Sequence, residues 1–148
     1  MSNTVILEEF GKLKRMLNLM VVQELSTTGA GPKQAHMLRQ IAKRGSCSQR
    51  ELAEATLTDP AAIGRGIESL IRQGWIVRKD DPSDSRSWKI ELSARGRREI
   101  ASLEKAVDRV ADKFLQKFNE GEKATFTKLL RKASDNLEAA MAAKKRKK

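Results

Sequence analysis

The feature that most constrains the fold is a change of periodicity in residues 75–92. Residues 75–79 are β-prone, and residues 88–92 alternate strictly between apolar and polar side chains. Residues 80–87, which lie between them, all favour turns. In the longer segments on both sides, apolar residues recur at helical spacing. The sequence therefore predicts a mostly α-helical fold that contains one β-hairpin with a long polar tip.

Two capped helices precede this hairpin. Ser48 and Glu51 stand three residues apart, the spacing at which each side chain caps the other residue's backbone N–H at the start of a helix. Asp59 and Pro60 then supply an N-cap and a first-turn proline for a second helix. An earlier helix ends at Gly45. Two capped helices separated by a short turn predict a helix-turn-helix.

Apolar helical segments flank this central region. Residues 4–25 carry apolar side chains at spacings of three and four, on a face wider than a single stripe. Such a helix needs burial on more than one side. Beyond Ser93, which provides an N-cap, residues 100–118 and 126–141 show the same periodicity, interrupted at residues 119–121. We therefore expect long helices at both ends of the chain.

Length and composition fit one domain. A chain of 148 residues can bury one core, and with 4% aromatic residues and no Tyr that core must be mainly aliphatic. The longest apolar stretch, residues 16–22, is far shorter than the roughly 20 residues that span a bilayer. No export leader is visible, and a single cysteine excludes an intrachain disulfide. We expect a cytoplasmic protein without a membrane span.

The net charge of +11 is concentrated in two places. Residues 1–31 hold three basic and three acidic side chains, and residues 99–143 hold eight of each. Residues 32–98 hold 14 basic and 8 acidic side chains, and the other five basic residues form the run 144–148. A localised excess favours an anionic partner such as nucleic acid, whereas an even spread would indicate only a solvated surface.

Four short segments resemble the MarR family of bacterial and archaeal regulators. They are Ser-Gln-Arg-Glu-Leu-Ala-Glu at 48–54, Asp-Pro-Ala-Ala-Ile-Gly-Arg at 59–65, Asp-Pro-Ser-Asp-Ser-Arg at 81–86 and Leu-Ser-Ala-Arg-Gly at 92–96. The resemblance implies a single domain over 1–148, mostly α with a small β wing. Within it, residues 32–98 would form a winged helix-turn-helix DNA-binding lobe, residues 1–31 and 99–143 dimerisation helices, and residues 144–148 a disordered basic tail.

The resemblance also implies a function. Such a protein is a sequence-specific regulator of transcription, usually a repressor, that binds double-stranded DNA as a homodimer and associates with the nucleoid. Its two lobes would meet successive major grooves about 34 Å apart on a pseudo-palindromic site. Many relatives release DNA when a small anionic or aromatic effector enters the crevice between the helical base and the lobe.

In this family the helix that begins after Asp59 lies in the major groove, and the residues carried over to that helix are Pro60, Ala61, Ala62 and Arg65. Ser48, Gln49 and Arg50 would lie near phosphates. The family often has Ser or Thr at the positions where this chain has Ala61, Ala62 and Gly64. These small side chains donate no hydrogen bonds to base edges, so direct readout would depend heavily on Arg65. Gly64 and Gly66 would permit close backbone approach, or would merely loosen the helix.

The wing supplies the remaining expected DNA contacts. Arg86 corresponds to the arginine that enters the minor groove, and Asp84 to the carboxylate that orients it; the alternative is an ordinary solvated turn. Arg78, Lys79 and Lys89 flank the wing as expected phosphate contacts. Four other arginines of this region are expected to be simply solvated, namely Arg72, Arg95, Arg97 and Arg98.

Other functions find little support in the residues. Cys47 is expected to be a small buried hydrophobe rather than a redox sensor, and His36 has no second histidine or cysteine pair with which to hold a metal. We expect no catalysis, cofactor or metal. Two rivals remain: a non-specific or architectural nucleic-acid binder on the same scaffold, and a protein-interaction or membrane-surface module that uses the basic tail.

Overall fold

The computed structural model describes residues 2–148 and has six helices and three strands in that range. In chain order these are α1 (Asn3–Leu25), α2 (Pro32–Arg44), β1 (Ser46–Cys47), α3 (Gln49–Thr56), α4 (Pro60–Arg72), β2 (Ile76–Asp81), β3 (Asp84–Leu92), α5 (Ala94–Phe114) and α6 (Glu120–Arg146). The mostly α fold with a small β wing is confirmed. The chain forms two compact units, a first that ends at Ala111 and a second, Asp112–Lys148.

The helices of the helix-turn-helix begin where their caps predict. The Ser48 hydroxyl accepts the Glu51 backbone N–H at 3.0 Å, and the Glu51 carboxylate accepts the Ser48 backbone N–H at 3.3 Å. At the start of α4 the Asp59 carboxylate accepts the Ala62 backbone N–H at 2.9 Å. Local side-chain capping therefore sets the starts of both α3 and α4.

The strands form an antiparallel sheet in the order β1-β3-β2. The hairpin is confirmed, but the turn predicted over residues 80–87 was too long: β2 continues to Asp81 and β3 begins at Asp84, with a register irregularity at Asp80 and Asp81. Hairpin backbone hydrogen bonds need no apolar side chains, and both faces are exposed near the tip. The strands therefore continue near the tip although the alternation of apolar and polar residues ends there.

One aliphatic core fills the first unit. Its largest fully buried side chains are Leu25, Leu38, Ile41, Leu52, Ile63, Ile67, Leu70, Trp75, Ile76, Ile90 and Leu103. Cys47 of β1 is fully buried among them, and burial raises the pKa of its thiol. Because a thiol reacts as its thiolate, this environment favours the small hydrophobe that the sequence predicts over a redox sensor.

A close backbone contact joins the sheet to α5. The Ser93 backbone N–H donates to the Trp75 carbonyl at 3.0 Å, and the Ser93 hydroxyl accepts the Gly96 N–H at 3.0 Å. A Cβ atom on Gly96 would lie 2.3 Å from the Trp75 carbonyl oxygen. Only glycine therefore permits α5 to begin directly against the Trp75 backbone, three residues beyond the end of α4.

Two arginines of α5 strengthen this junction, although the sequence predicts that they are solvated. The Arg95 guanidinium lies 4.6 Å from the centroid of the Trp75 ring and donates to the Gln73 carbonyl at the end of α4. Arg97 donates to the Leu92 carbonyl at 2.9 Å. Both residues are exposed, but each also binds a carbonyl that the sequence did not indicate, because these partners lie on neighbouring elements that only the fold brings close.

The second unit contains the end of α5 and the whole of α6. Phe114, Phe118 and Phe126 pack together with ring centroids 5.8–6.4 Å apart. Helix α6 contains no buried residue, and its apolar side chains Leu129, Leu137 and Met141 are mostly exposed in the single chain. This unit therefore presents a long apolar helix face without a cover from its own chain.

The basic end of the chain is more ordered than the sequence predicts. Disorder was expected for residues 144–148, but α6 continues to Arg146. Lysine and arginine are favourable in the last turn of a helix because the carbonyl end carries partial negative charge. Within residues 2–148, no helix has both the length and the apolar character needed to cross a bilayer.

Candidate DNA interface

Helix α4 has a buried face and an exposed face. Ile63, Ile67 and Leu70 anchor one side in the core, while Ala61, Arg65, Glu68 and Arg72 form an exposed row at spacings of four, three and four on the other. Among the residues that the structure describes, Arg65 has no ion-pair or hydrogen-bond partner. It is therefore a free long donor in the middle of the exposed face.

Glu68 lies on the same face, one turn beyond Arg65, and sequence reasoning missed it. The exposed positions of α4 follow from the spacing of its buried isoleucines, so the signal was present in the sequence. A carboxylate on a surface that faces DNA repels phosphates unless a cation neutralises it. The structure supplies that cation from β2, because Arg78 forms an ion pair with Glu68.

The two glycines of α4 serve packing within the lobe. A Cβ atom on Gly66 would lie 3.0 Å from the end of the Met37 side chain of α2, and one on Gly64 would lie 3.2 Å from the Gln49 amide nitrogen. The expected close approach of these glycines to DNA is therefore replaced by close approach to α2 and α3. Because Gly64 has no Cβ atom, the Gln49 side chain of α3 can lie close to the backbone of α4.

The other predicted residues lie at the starts of α3 and α4. Pro60 is exposed, and Ala62 is half-buried with its N–H capped by Asp59. Ser48 is occupied in its capping pair, and Arg50 forms an exposed ion pair with Glu54 at 3.1 Å. An exposed pair of this kind holds its arginine only weakly, so Arg50 is available to an approaching phosphate.

The wing tip is organised by carboxylates that bind the backbone. Arg86 is exposed, but Asp84 does not contact its guanidinium; the Asp84 carboxylate accepts the Arg86 backbone N–H at 2.9 Å. In this structure Asp84 therefore holds the backbone at Arg86, and its expected role in orienting the Arg86 side chain on DNA stays a prediction. A short carboxylate reaches the N–H two residues ahead more readily than the end of a long side chain.

Asp81 is a wing residue that sequence reasoning did not single out. Its carboxylate accepts the Ser83 backbone N–H at 2.9 Å, the Ser83 hydroxyl at 2.7 Å and the Ser87 hydroxyl at 3.2 Å. The hydrogen bonds from Ser83 lower the pKa of the Asp81 carboxyl. The Asp-Pro-Ser order was the available signal, because such side chains cap tight turns. Asp81 therefore shapes the turn that presents Arg86.

Three cations at the base of the wing already have carboxylate partners. Arg78 pairs with Glu68 and stacks 4.4 Å from the centroid of the Trp88 ring. Lys79 pairs with Glu91 at 3.0 Å and Lys89 with Glu51 at 3.0 Å. We call Arg78, Lys79 and Lys89 the wing-base cations. The sequence predicts them to be phosphate contacts, but in this structure each is engaged within the protein.

The Lys89 pair connects the wing to the helix-turn-helix. Hydrogen bonding to Glu51 raises the pKa of Lys89, and the same bond is the largest of the effects that lower the pKa of Glu51. Both groups therefore stay charged at neutral pH. Since Glu51 also caps α3, one carboxylate fixes the start of α3 and one edge of the wing together.

A cavity of about 780 Å³ opens between α1, α2 and α5. Its polar lining includes Lys14, Arg15, His36 and Arg39, and it contains no acidic side chain. Burial, followed by the charge of Arg39, lowers the pKa of His36, so His36 is mainly neutral at neutral pH. Arg39 also forms an ion pair with Glu104 of α5 at 2.9 Å. The apolar remainder of the lining comes from Leu17, Leu19, Val21, Pro32, Ala35 and Val107.

These features together define a class of protein. A helix of about 10–12 Å diameter fits the major groove of DNA, which is about 12 Å wide. A neighbouring hairpin with an exposed arginine at its tip can reach the adjacent minor groove. A helix-turn-helix with a β wing and free arginines on both elements is a DNA-binding module.

Comparison with known proteins identifies the family. Residues 28–87 match the model of the MarR family. The HTH-type transcriptional regulator BilQ of Clostridium symbiosum is 30% identical over 122 residues, which make up 82% of this chain and 85% of that protein. The chain belongs to the MarR family and is a DNA-binding transcriptional regulator.

Solved structures support the same fold. A mutant of MarR from E. coli, complexed with operator DNA, has a TM-score of 0.76 at 21% identity, over 90% of this chain and 99% of that one. The Bordetella bronchiseptica regulator BpsR has a TM-score of 0.79 at 22% identity, over 86% of this chain and 91% of that one. The sequence-based assignment to the family and to the winged helix-turn-helix fold is confirmed.

The wing geometry leads to a prediction for Asp84 and Arg86. Asp84→Asn should leave DNA affinity within about twofold of the wild type, because an asparagine oxygen can accept the same backbone N–H. Arg86→Ala should lower affinity about fivefold or more at physiological salt, because the variant loses the arginine expected in the minor groove and one hydrogen bond contributes about 1 kcal/mol. Fluorescence anisotropy with a labelled duplex measures both. Equal losses for the two variants would instead mean that Asp84 orients the Arg86 side chain in the complex.

Proposed function

We propose that this protein is a sequence-specific transcriptional repressor that binds a pseudo-palindromic operator as a homodimer and is released by a small anionic effector. The observation that carries the proposal is the free Arg65 guanidinium at the centre of the exposed face of α4. A guanidinium can donate two hydrogen bonds to the major-groove edge of guanine, and this is the commonest specific contact in such complexes. Arg86 would add recognition of minor-groove shape.

The exposed apolar faces of the outer helices support a homodimer. In α1, Ile6, Leu7 and Phe10 are at least half exposed, and Leu137 and Met141 of α6 are similarly uncovered. Apolar side chains in such numbers are stable in water only when a partner covers them. A second copy of the chain is the simplest partner, since one dyad then covers the same faces of both copies and duplicates the DNA-binding lobe.

Repression follows from the geometry of binding. A dimer that occupies two successive major grooves covers roughly 20 base pairs, because the half-sites lie about one helical turn apart. If such a site overlaps a promoter, polymerase is excluded from it. Control of transcription then requires only that some other event lowers the DNA affinity of the dimer.

The cavity between α1, α2 and α5 is the proposed effector site. Its volume of about 780 Å³ suits a small molecule, and its basic side chains with an apolar floor suit an aromatic acid. The structure of BpsR is described as a mechanism for regulation of its DNA binding by 6-hydroxynicotinic acid. An effector of this kind must bind the DNA-incompetent arrangement of the lobes more tightly than the competent one. A ligand with equal affinity for both arrangements would leave the equilibrium between them unchanged.

Arg65→Ala tests sequence-specific reading. A cognate duplex selected from a random pool and an unselected duplex are compared for wild type and variant by anisotropy at one salt concentration. The ratio of the two affinities should fall about 5- to 150-fold, because a bidentate base contact contributes about 1–3 kcal/mol. Arg98→Ala, an exposed arginine of α5 with the same charge, is the control and should leave the ratio unchanged.

An equal loss of affinity for both duplexes in Arg65→Ala would make Arg65 a phosphate contact. A wild type that shows no preference for the selected duplex would contradict operator recognition altogether. It would favour the rival interpretation of sequence-independent coating of DNA, for which the basic end of α6 supplies additional charge.

The effector proposal is tested with 6-hydroxynicotinic acid as the probe. The acid should bind the protein in isothermal titration and lower its DNA affinity, whereas 2-hydroxypyridine, which lacks the carboxylate, should do neither. Arg39→Met should weaken binding of the acid about tenfold or more, since a hydrogen bond to a charged group contributes about 1.5–3 kcal/mol. Equal responses to both compounds, or an unchanged response in Arg39→Met, would contradict this site.

A further inference from the structure

The wing carries four cations that could reach DNA, but they differ in what they already contact. Arg86 at the tip is exposed and has no ion-pair partner among residues 2–148. The three wing-base cations each form an ion pair with a glutamate, and their side chains are 42%, 60% and 29% exposed for Arg78, Lys79 and Lys89. A phosphate must compete with a carboxylate for these three cations but not for Arg86.

Each of the three glutamates lies on a different element of the lobe. Glu68 extends from the exposed face of α4, Glu51 from the first turn of α3, and Glu91 from β3 beside the cation that it neutralises. The Arg78–Glu68 and Lys89–Glu51 pairs therefore depend on how the hairpin packs against α4 and α3, whereas the Lys79–Glu91 pair lies within the hairpin. Arg78 also stacks on the Trp88 ring, 4.4 Å from the ring centroid, which is a second contact within the hairpin.

The arrangement of the two lysines makes their neutralisation important. Lys79 and Lys89 are direct cross-strand partners in the β2–β3 pair. Like charges directly opposite each other destabilise a sheet, and each lysine here is offset by its own glutamate. Without those glutamates the lysines would repel each other and turn toward any available anion, such as a DNA phosphate.

We propose that Glu51, Glu68 and Glu91 limit sequence-independent DNA binding by holding the wing-base cations in ion pairs, so that Arg86 is the main DNA contact of the wing. Non-specific affinity depends on the number of phosphates that a protein neutralises. Three cations withheld from phosphates lower that affinity while the base contacts of α4 stay intact. The inference rests on DNA binding through this lobe, and it makes the three glutamates specificity-determining residues.

The test is a mutant cycle on Glu68 and Arg78 with a random-sequence duplex as the probe. Affinity is measured across a salt series for wild type, Glu68→Gln, Arg78→Met and the double variant. Glu68→Gln should bind about fivefold more tightly at about 0.15 M salt, and its slope of log affinity against log salt should steepen by about 0.9, the value for one added phosphate contact. Arg78→Met and the double variant should both match the wild-type slope.

Control variants separate the ion pairs from net charge and from folding. Glu138→Gln changes net charge equally at an exposed site in α6, where residues 2–148 offer no ion-pair partner, and it should keep the wild-type slope. Glu51→Gln retains capping ability, so it and Glu91→Gln should each steepen the slope as Glu68→Gln does. Thermal melts confirm that each variant is folded before its DNA affinity is compared.

Several outcomes would overturn the proposal. A flatter slope in Arg78→Met would show that Arg78 already contacts phosphate in the wild type. Steepening that persists in the double variant, or that Glu138→Gln reproduces, would assign the effect to net charge. Weaker binding by Glu68→Gln would show that the Arg78–Glu68 pair stabilises the position of the wing and does not withhold Arg78 from phosphates. A wild type that binds no duplex would contradict DNA binding by this protein, and this inference with it, whereas unchanged slopes would contradict this inference alone.

Discussion

The geometry of the lobe depends on the contact between Trp75 and Gly96. At this point Trp75, three residues beyond the end of α4, meets the first turn of α5, with a hydrogen bond from the Ser93 backbone N–H to the Trp75 carbonyl and no room for a side chain at position 96. Arg95 stacks on the same indole and binds the end of α4. These contacts fix α4, the start of the wing and α5 to one another. A shift of α5 would therefore move the exposed face of α4.

On that rigid frame, charge is distributed unevenly. Arg65 and Arg72 on the exposed face of α4 and Arg86 at the wing tip have no ion-pair partner among residues 2–148, whereas the wing-base cations pair with glutamates from α3, α4 and β3. A wing-base cation must exchange its glutamate for a phosphate before it can contribute to DNA binding, whereas an arginine without an ion-pair partner need not. A count of basic residues therefore overstates the number of phosphates that this lobe can neutralise.

Local features of the fold were predictable from the sequence, and features that depend on distant contacts were not. The caps at Ser48 and Asp59 act within three residues, so they predicted the starts of α3 and α4. The glutamate partner of Lys89 lies 38 residues away, and Gly66 faces Met37 of another helix. No spacing rule reports such contacts. Family resemblance predicted the DNA-binding residues as a set. It could not show which of their side chains already have ion-pair partners within the protein.

Hydroxyl-radical footprinting of the protein on a selected duplex, combined with the mass of the complex, tests the central claim most directly. The claim is that Arg65 and Arg86, carried by each of two copies of the chain, read one pseudo-palindromic site. The account predicts two chains per duplex and two dyad-related protected segments whose centres lie about 34 Å apart. One chain per duplex with a single protected segment, or uniform protection along the duplex, would contradict it.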